Sequence, residues 1–325
     1  MTQPPGQDWR PTAARGALER RARMLAEVRR FFASRGVLEV ETPVLSAAAA
    51  SDPQIESLST HVSGLPGCLF LCTSPEYAMK RLLAAGSGDI YQVSRVFRDA
   101  ERGRWHNPEF TLLEWYRLGF DDADLMSEVE ALIAALLAPE RPLAAAERLT
   151  YAEAMLRHAG IDAHRASESD LDRAAARHGI ACPRELDRDG KLDLLMGLAV
   201  GPRLGRERPS FVCDYPASQA SLARLKPGFP EVAARFELYV DGIELANGFR
   251  ELSDAREQRE RFDRDLTTRR ARGLPEPPHD ERLLAALEAG LPDCSGVALG
   301  FDRLVALALG ADSLAPAMAF PIDNA

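Results

Sequence analysis

An α+β fold, an antiparallel sheet flanked by helices, is what this chain predicts, and three segments predict it. Residues 89–116 read as a long β-hairpin, residues 235–251 as a second hairpin with a tight turn, and residues 294–310 as a strand running through glycine into a helix. Hairpins make antiparallel neighbours, and helices then cover the sheet to bury its apolar face. The 325 residues suffice for a sizeable core as one elaborated domain, expected over residues 13–325 with a helical insertion at about 140–208. Residues 1–12 form a short polar, Pro-rich tail.

Each element has its own signal. Ala13 to Ser34 is predicted to be a helix, with Leu18, Met24, Leu25, Val28, Phe31 and Phe32 as its buried stripe and Gly36 ending it. In the first hairpin Tyr91, Val93 and Phe97 point one way with Leu113 and Trp115, while Gln92, Ser94 and Arg98 point the other way with Phe110, Glu114 and Tyr116. An arginine, an aromatic ring, a carboxylate and a phenol on one face read as a binding floor. Taken alone, the segment equally fits an amphipathic hairpin with a solvated face and a mobile loop from Asp99 to Asn107. Asp122 to Leu137 reads as a helix stopped by Pro139, and further helices are expected near 150–158, 169–178 and 188–200. Ser253 is the expected N-cap of a charged helix, Asp254 to Arg272, closed by Gly273 and Pro275.

The second hairpin turns at Asp241-Gly242, a pair suited to the positive φ values of a type I′ turn. A two-residue turn pairs Val240 with Ile243 and Tyr239 with Glu244, so Glu237, Tyr239 and Glu244 share a face. Glu237 and Glu244 are then diagonal neighbours roughly 7–8 Å apart at the backbone. Two unpaired carboxylates that close repel, and Mg²⁺ relieves the repulsion while also binding substrate phosphates; solvated surface acids are the plainer alternative. In the third segment a glycine-bounded strand, Gly296 to Gly300, enters a helix whose first turn holds Arg303, with Leu304, Leu307 and Ala308 behind. Glycines admit a ligand close to the backbone, and a cation there stabilises charge on a phosphate chain. Neither a G-x-G-x-x-G nor a G-x-x-x-x-G-K-[ST] motif occurs, so a nucleotide site here is not of the Rossmann or P-loop kind.

Composition narrows the function. The net charge is −9, with 40 basic residues scattered among 49 acids, which argues against a broad nucleic-acid surface. Five cysteines show no paired spacing; Cys68 and Cys72 lack a second pair to complete a metal site, so buried reduced thiols are expected. No apolar leader and no run of 18 apolar residues appear, so a cytoplasmic protein without membrane contact is expected.

In order, these segments resemble the class II aminoacyl-tRNA synthetases. Arg35-Gly-Val-Leu-Glu-Val-Glu-Thr-Pro-Val-Leu45 is similar to their first motif, which lies at a dimer interface; Phe97-Arg98 through Glu114 is similar to the second, and Gly296 to Arg303 to the third. Thr73-Ser-Pro-Glu-Tyr77, His106-Asn-Pro-Glu-Phe-Thr111, Glu114-Trp-Tyr116 and Glu244-Leu-Ala-Asn-Gly-Phe-Arg-Glu251 resemble the lysyl branch. With the first motif beginning near residue 35, no room is expected for an N-terminal anticodon-binding barrel. This architecture, with Phe211 to Leu222 and Arg272-Gly-Leu-Pro275, resembles the elongation factor P lysine ligase family.

The resemblance implies an ATP-dependent ligase that activates lysine, by family preference (R)-β-lysine, as an adenylate and transfers it to a lysine side chain of elongation factor P, with no tRNA, and a homodimer through residues 35–45. It implies catalytic Arg98 and Arg303 and a metal pair, Glu237 and Glu244, for Mg²⁺. The ATP set it implies is Arg98, Asp99, Ala100, His106, Asn107, Phe110, Glu244, Leu245, Gly300 and Arg303, with adenine between Phe110 and Arg303. Ser74, Pro75, Glu76, Glu114, Tyr116, Asn247, Glu251 and Ala298 are implied for the amino acid. Ala100 stands where the synthetases have a glutamate that reads adenine, leaving backbone groups or a shifted Glu101; Ala298 stands where lysyl-tRNA synthetases have glycine. Transfer to tRNA and a non-catalytic amino-acid sensor are the other readings. Glu244 and Glu251, seven residues apart, fall on opposite faces of an uninterrupted strand, so a shared site requires a bulge or bend within Leu245 to Gly248.

Overall fold

Alternation along the hairpins decides how the sheet is covered. A computed structural model describes residues 9–138, 141–183 and 185–325. The first eight residues of the expected tail and the helix stop at Pro139 lie outside the described residues. In chain order the elements are α1 (Arg15–Ala33), β1 (Leu38–Glu39), β2 (Leu45–Ser46), β3 (Ser59–Thr60), β4 (Leu69–Leu71), α2 (Glu76–Ala84), β5 (Ile90–Phe97), β6 (Glu109–Leu118) and α3 (Asp122–Leu137). There follow β7 (Glu147–Thr150), α4 (Tyr151–Ala159), α5 (Glu168–Arg177), α6 (Arg188–Leu195), β8 (Ser210–Pro216), β9 (Leu225–Lys226), β10 (Val232–Val240) and β11 (Ile243–Arg250). The chain closes with α7 (Ala255–Ala271), α8 (Glu281–Gly290), β12 (Cys294–Gly300) and α9 (Phe301–Ala308).

The main sheet runs β1-β5-β6-β12-β11-β10-β8-β7, with β9 beside β10; β2, β4 and β3 form a small second sheet. Tyr91 opposes Trp115 and Val93 opposes Leu113, so the apolar face of the first hairpin is the expected one. It packs on α1, where Phe32 stacks on Tyr91 at 4.4 Å between ring centroids. Met24, Val28, Phe31 and Phe32 are buried as expected, whereas Leu18 is 37% exposed. The opposite face, with Glu114 and Tyr116, forms the floor of a cavity.

The sheet is antiparallel at its centre and parallel at both edges, where β1 pairs with β5 and β7 with β8. Both parallel pairs are joined by long crossovers containing helices, as parallel pairing requires. Residues 141–208 therefore hold an edge strand, β7, as well as the expected helices. At α7 the N-cap is Asp254, whose carboxylate accepts from the amides of Arg256 and Glu257, rather than Ser253. All five cysteines are unpaired, but only Cys294 is fully buried. No helix among the described residues is long and apolar enough to cross a membrane.

Candidate active site

Strand register lays the site out in rows. Glu237 on β10 opposes Asn247 on β11, Asn247 opposes Ala298 on β12, Ala298 opposes Glu114 on β6, and Glu114 opposes Gln92 on β5. The small Ala298 thus sits mid-row between larger polar side chains. Parallel to it, Arg235, Phe249, Gly296 and Tyr116 form a second row. Asp241 and Gly242 take φ values of 54° and 77°, as a type I′ turn demands. The register then shifts: Tyr239 faces Glu244, but Leu238 faces Ala246, leaving Leu245 as an extra residue. This bulge, at the expected place, returns Asn247, Phe249 and Glu251 to the face carrying Glu244. Glu244, Glu251 and Arg98 border one cavity of about 1180 Å³.

Every candidate residue except Asp99 and Ala100 borders that cavity. Asp99 and Ala100 are exposed on the loop. Ala100 takes φ 60°, and the Asp99 carboxylate accepts from its amide at 2.8 Å. This reversal brings Glu101 to the cavity instead, 3.5 Å from Arg98 Nη1. Asn107 borders the cavity with its side-chain amide already engaged. Its amide donates to the Glu109 carbonyl at 2.6 Å and accepts from the Ile322 amide at 2.9 Å, so it fixes the loop to the C-terminal segment. His106 is held below its ordinary value, first by burial and then by Arg303, and so is a neutral hydrogen-bonding group near pH 7.

At one end of the cavity, Arg98 lies 5.1 Å from the Phe110 ring and donates to the Thr73 carbonyl at 3.3 Å. Arg303 donates to the carbonyls of Trp105 and Glu244, at 3.1 and 3.0 Å. Asp302, next to it, accepts from the Thr111 amide at 2.7 Å and pairs with Arg21, pinning the first turn of α9 to β6 and α1. Glu237 is not the unpaired carboxylate expected from sequence. Arg235 and Tyr239 donate to its two oxygens at 2.7 and 2.6 Å. Burial and then the neighbouring Glu237 push the half-buried Glu244 up to about 7. Glu237 thus raises Glu244 even while paired with Arg235, and carboxylate oxygens of this kind suit a hard cation.

The other end of the cavity is a cluster of acids. Ser74 donates to Glu114 Oε2 and Tyr116 to Glu114 Oε1, both at 2.7 Å, so Glu114 is braced on each side. The Ser74 hydroxyl also accepts from the Glu76 amide at 3.0 Å and caps α2. Burial, then the Glu76 charge, holds Glu114 up at about 7. Glu251 is 1% exposed, and burial raises it to about 8 even with Lys80 beside it. Lys80 went unassigned in the sequence, although its spacing from Glu76, four residues along α2, puts both on one helix face. Its ammonium lies 2.7 Å from Glu76 Oε1 and 2.5 Å from Glu251 Oε2. Arg235, likewise unassigned, links Glu237, the Gln219 carbonyl and Asn247.

A cavity floored by an antiparallel sheet, with arginines from a hairpin and from a strand–helix junction at one end, is the site of a class II synthetase. The family model for class II tRNA synthetases (D, K and N) matches residues 7–324, and the chain belongs to that family, enzymes of the ligase class. Among curated proteins it is 52% identical over 324 residues to the elongation factor P–(R)-β-lysine ligase of Salmonella typhi, covering 98% of each chain. The proteins of the same name from Salmonella dublin and Salmonella agona match at the same identity and coverage.

Proposed function

We propose that this protein is an ATP-dependent ligase that activates (R)-β-lysine, or lysine, and attaches it to a lysine side chain of elongation factor P. The observation that carries the reading is that one cavity holds Arg98, Phe110 and Arg303 at one end and Glu76, Glu114 and Glu251 at the other. A substrate with two ammonium groups and one carboxylate suits that polarity, and the relatives' names supply the acceptor.

In this reading the substrate carboxylate attacks the α-phosphorus of ATP, forming the aminoacyl-adenylate and releasing pyrophosphate. Arg98 grips the carboxylate and α-phosphate through its planar guanidinium. Phe110 and Arg303 stack on adenine, and Glu101 takes the place of the absent motif glutamate beside it. Glu76 receives the amino group nearer the carboxylate and Glu251 the distal ammonium, while Ser74, Glu114 and Tyr116 fix the wall between them. Glu237 and Glu244 would hold Mg²⁺, which neutralises phosphate charge when bound. The acceptor amine, once deprotonated, attacks the adenylate carbonyl, forms the amide bond and releases AMP. No side chain needs to act as a nucleophile; alignment and charge stabilisation carry the rate.

We also propose a homodimer through residues 35–45 and action in the cytoplasm. Edge strand β1 and the chain after it leave Leu38 55% and Leu45 40% exposed, an apolar face suited to a second copy. Incubation with ATP, Mg²⁺ and β-lysine or lysine, with elongation factor P or tRNA as acceptor, tests the assignment by intact mass. A mass increase on elongation factor P and no charged tRNA is expected. Efficient lysyl-tRNA formation with unmodified elongation factor P would overturn it.

A further inference from the structure

A buried cation sits behind the acidic end of the cavity. Lys80 is 1% exposed and does not border the cavity, whereas Glu76 and Glu251, its two partners, do. Its ammonium reaches Glu76 at 2.7 Å from its own helix and Glu251 at 2.5 Å from the far end of β11, with the Phe249 ring 5.9 Å away. Two carboxylates from distant segments are thereby drawn onto one point, each with its cavity side left to a ligand. Removing one partner of such a buried pair leaves uncompensated charge, and the remaining acid responds by taking up a proton.

We propose that Lys80 is a positioning residue for substrate selection: an internal counter-cation that fixes the direction of Glu76 and Glu251 toward a diamino acid. The inference rests on the substrate reading given under Proposed function. Without Lys80, the Glu251 carboxylate loses the contact that fixes its direction, and with it the alignment toward a substrate ammonium.

The experiment is amino-acid-dependent ATP–pyrophosphate exchange by the full-length enzyme, measuring KM for β-lysine, lysine and ATP separately. Lys80→Met is expected to raise KM for the amino acids at least tenfold while KM for ATP stays within twofold, and Lys80→Arg, which keeps the charge, recovers most of the loss. Because Lys80 acts through Glu251, adding Lys80→Met to Glu251→Gln costs less than a further threefold. That double variant carries neither buried charge and keeps the test open should Lys80→Met alone not fold. An unchanged amino-acid KM in Lys80→Met overturns the proposal. So does a lowered one, which would make Lys80 a competitor of the substrate ammonium, or an equal rise for ATP and amino acid. If the unsubstituted enzyme shows no exchange with lysine or β-lysine, the substrate reading itself fails and the role of Lys80 falls with it. If it shows exchange and Lys80→Met matches it, only the role of Lys80 fails.

Discussion

Gly296→Ala is the most direct test of how the acidic end of the cavity is built. A Cβ at this position would lie 2.3 Å from Tyr116 Cε1 and 2.5 Å from Glu251 Oε1. Neither neighbour is a loose end that can swing aside. Tyr116 is 2% exposed and donates to Glu114 at 2.7 Å, and Glu251 is 1% exposed beside Lys80. Overpacking of this kind costs about 1–3 kcal/mol. At roughly 2–4 °C per kcal/mol for a large domain, the melting temperature should fall by several degrees. The displacement also moves two groups that border the cavity and are proposed to face the substrate, and a misplacement of about 1 Å can cost on the order of 10²-fold in rate. Lysine-dependent pyrophosphate exchange should therefore lose about two orders of magnitude in kcat/KM for the amino acid. KM for ATP should change little, because Arg303 and Phe110 lie at the other end of the cavity. Gly300→Ala is the control for stability: its added Cβ would meet nothing nearer than Arg303 Cδ at 3.6 Å, an ordinary contact. A Gly296→Ala enzyme with unchanged melting temperature and amino-acid KM would refute this packing of Tyr116 and Glu251.

Ala298→Gly removes the one methyl in the row between Asn247 and Glu114, and should shift preference from β-lysine toward α-lysine. The ratio of kcat/KM for the two isomers measures it; one methyl is worth about 1–3 kcal/mol, and an unmoved ratio would take Ala298 out of the choice. Glu101→Ala should raise KM for ATP and leave KM for the amino acid alone. Ala100→Gly, at a φ of 60° that glycine adopts freely, should leave ATP binding intact and the melting temperature no lower. The ligand-free protein should lose stability as pH rises from about 5 to about 8. Glu244 and Glu251 are raised from an ordinary value of 4.5 to about 7 and about 8, so across that window the folded state holds protons that the unfolded chain has released. Thermal melts across this range should show the decline, and Glu251→Gln should flatten its upper part; stability rising with pH would contradict it.

What could be read from the chain, and what could not, follows the range of the interactions. Period-two alternation is local, so the floor face carrying Glu114 and Tyr116 was legible, as was the Asp241-Gly242 turn that sets the register of Tyr239 against Glu244. Parity carried further: a separation of seven positions from Glu244 to Glu251 demanded an extra residue, and Leu245 supplies it. Two misreadings, the parallel edges and the partner of Glu251, lie where distant segments meet. The parallel edges of the sheet depend on long crossovers, and no local pattern distinguishes β7 from a helical insertion. Glu237 looked unpaired because its partners Arg235 and Tyr239 sit at the same two-residue period that marks any strand face. Glu251 looked free to take an ammonium because Lys80 approaches it from a helix far back in the sequence. Acids can be placed on a face by counting residues, but what neutralises each acid is decided by tertiary packing. The chemistry of this site depends on that second step, since a pocket for cations is selective only when the protein's own cations have been assigned their partners first.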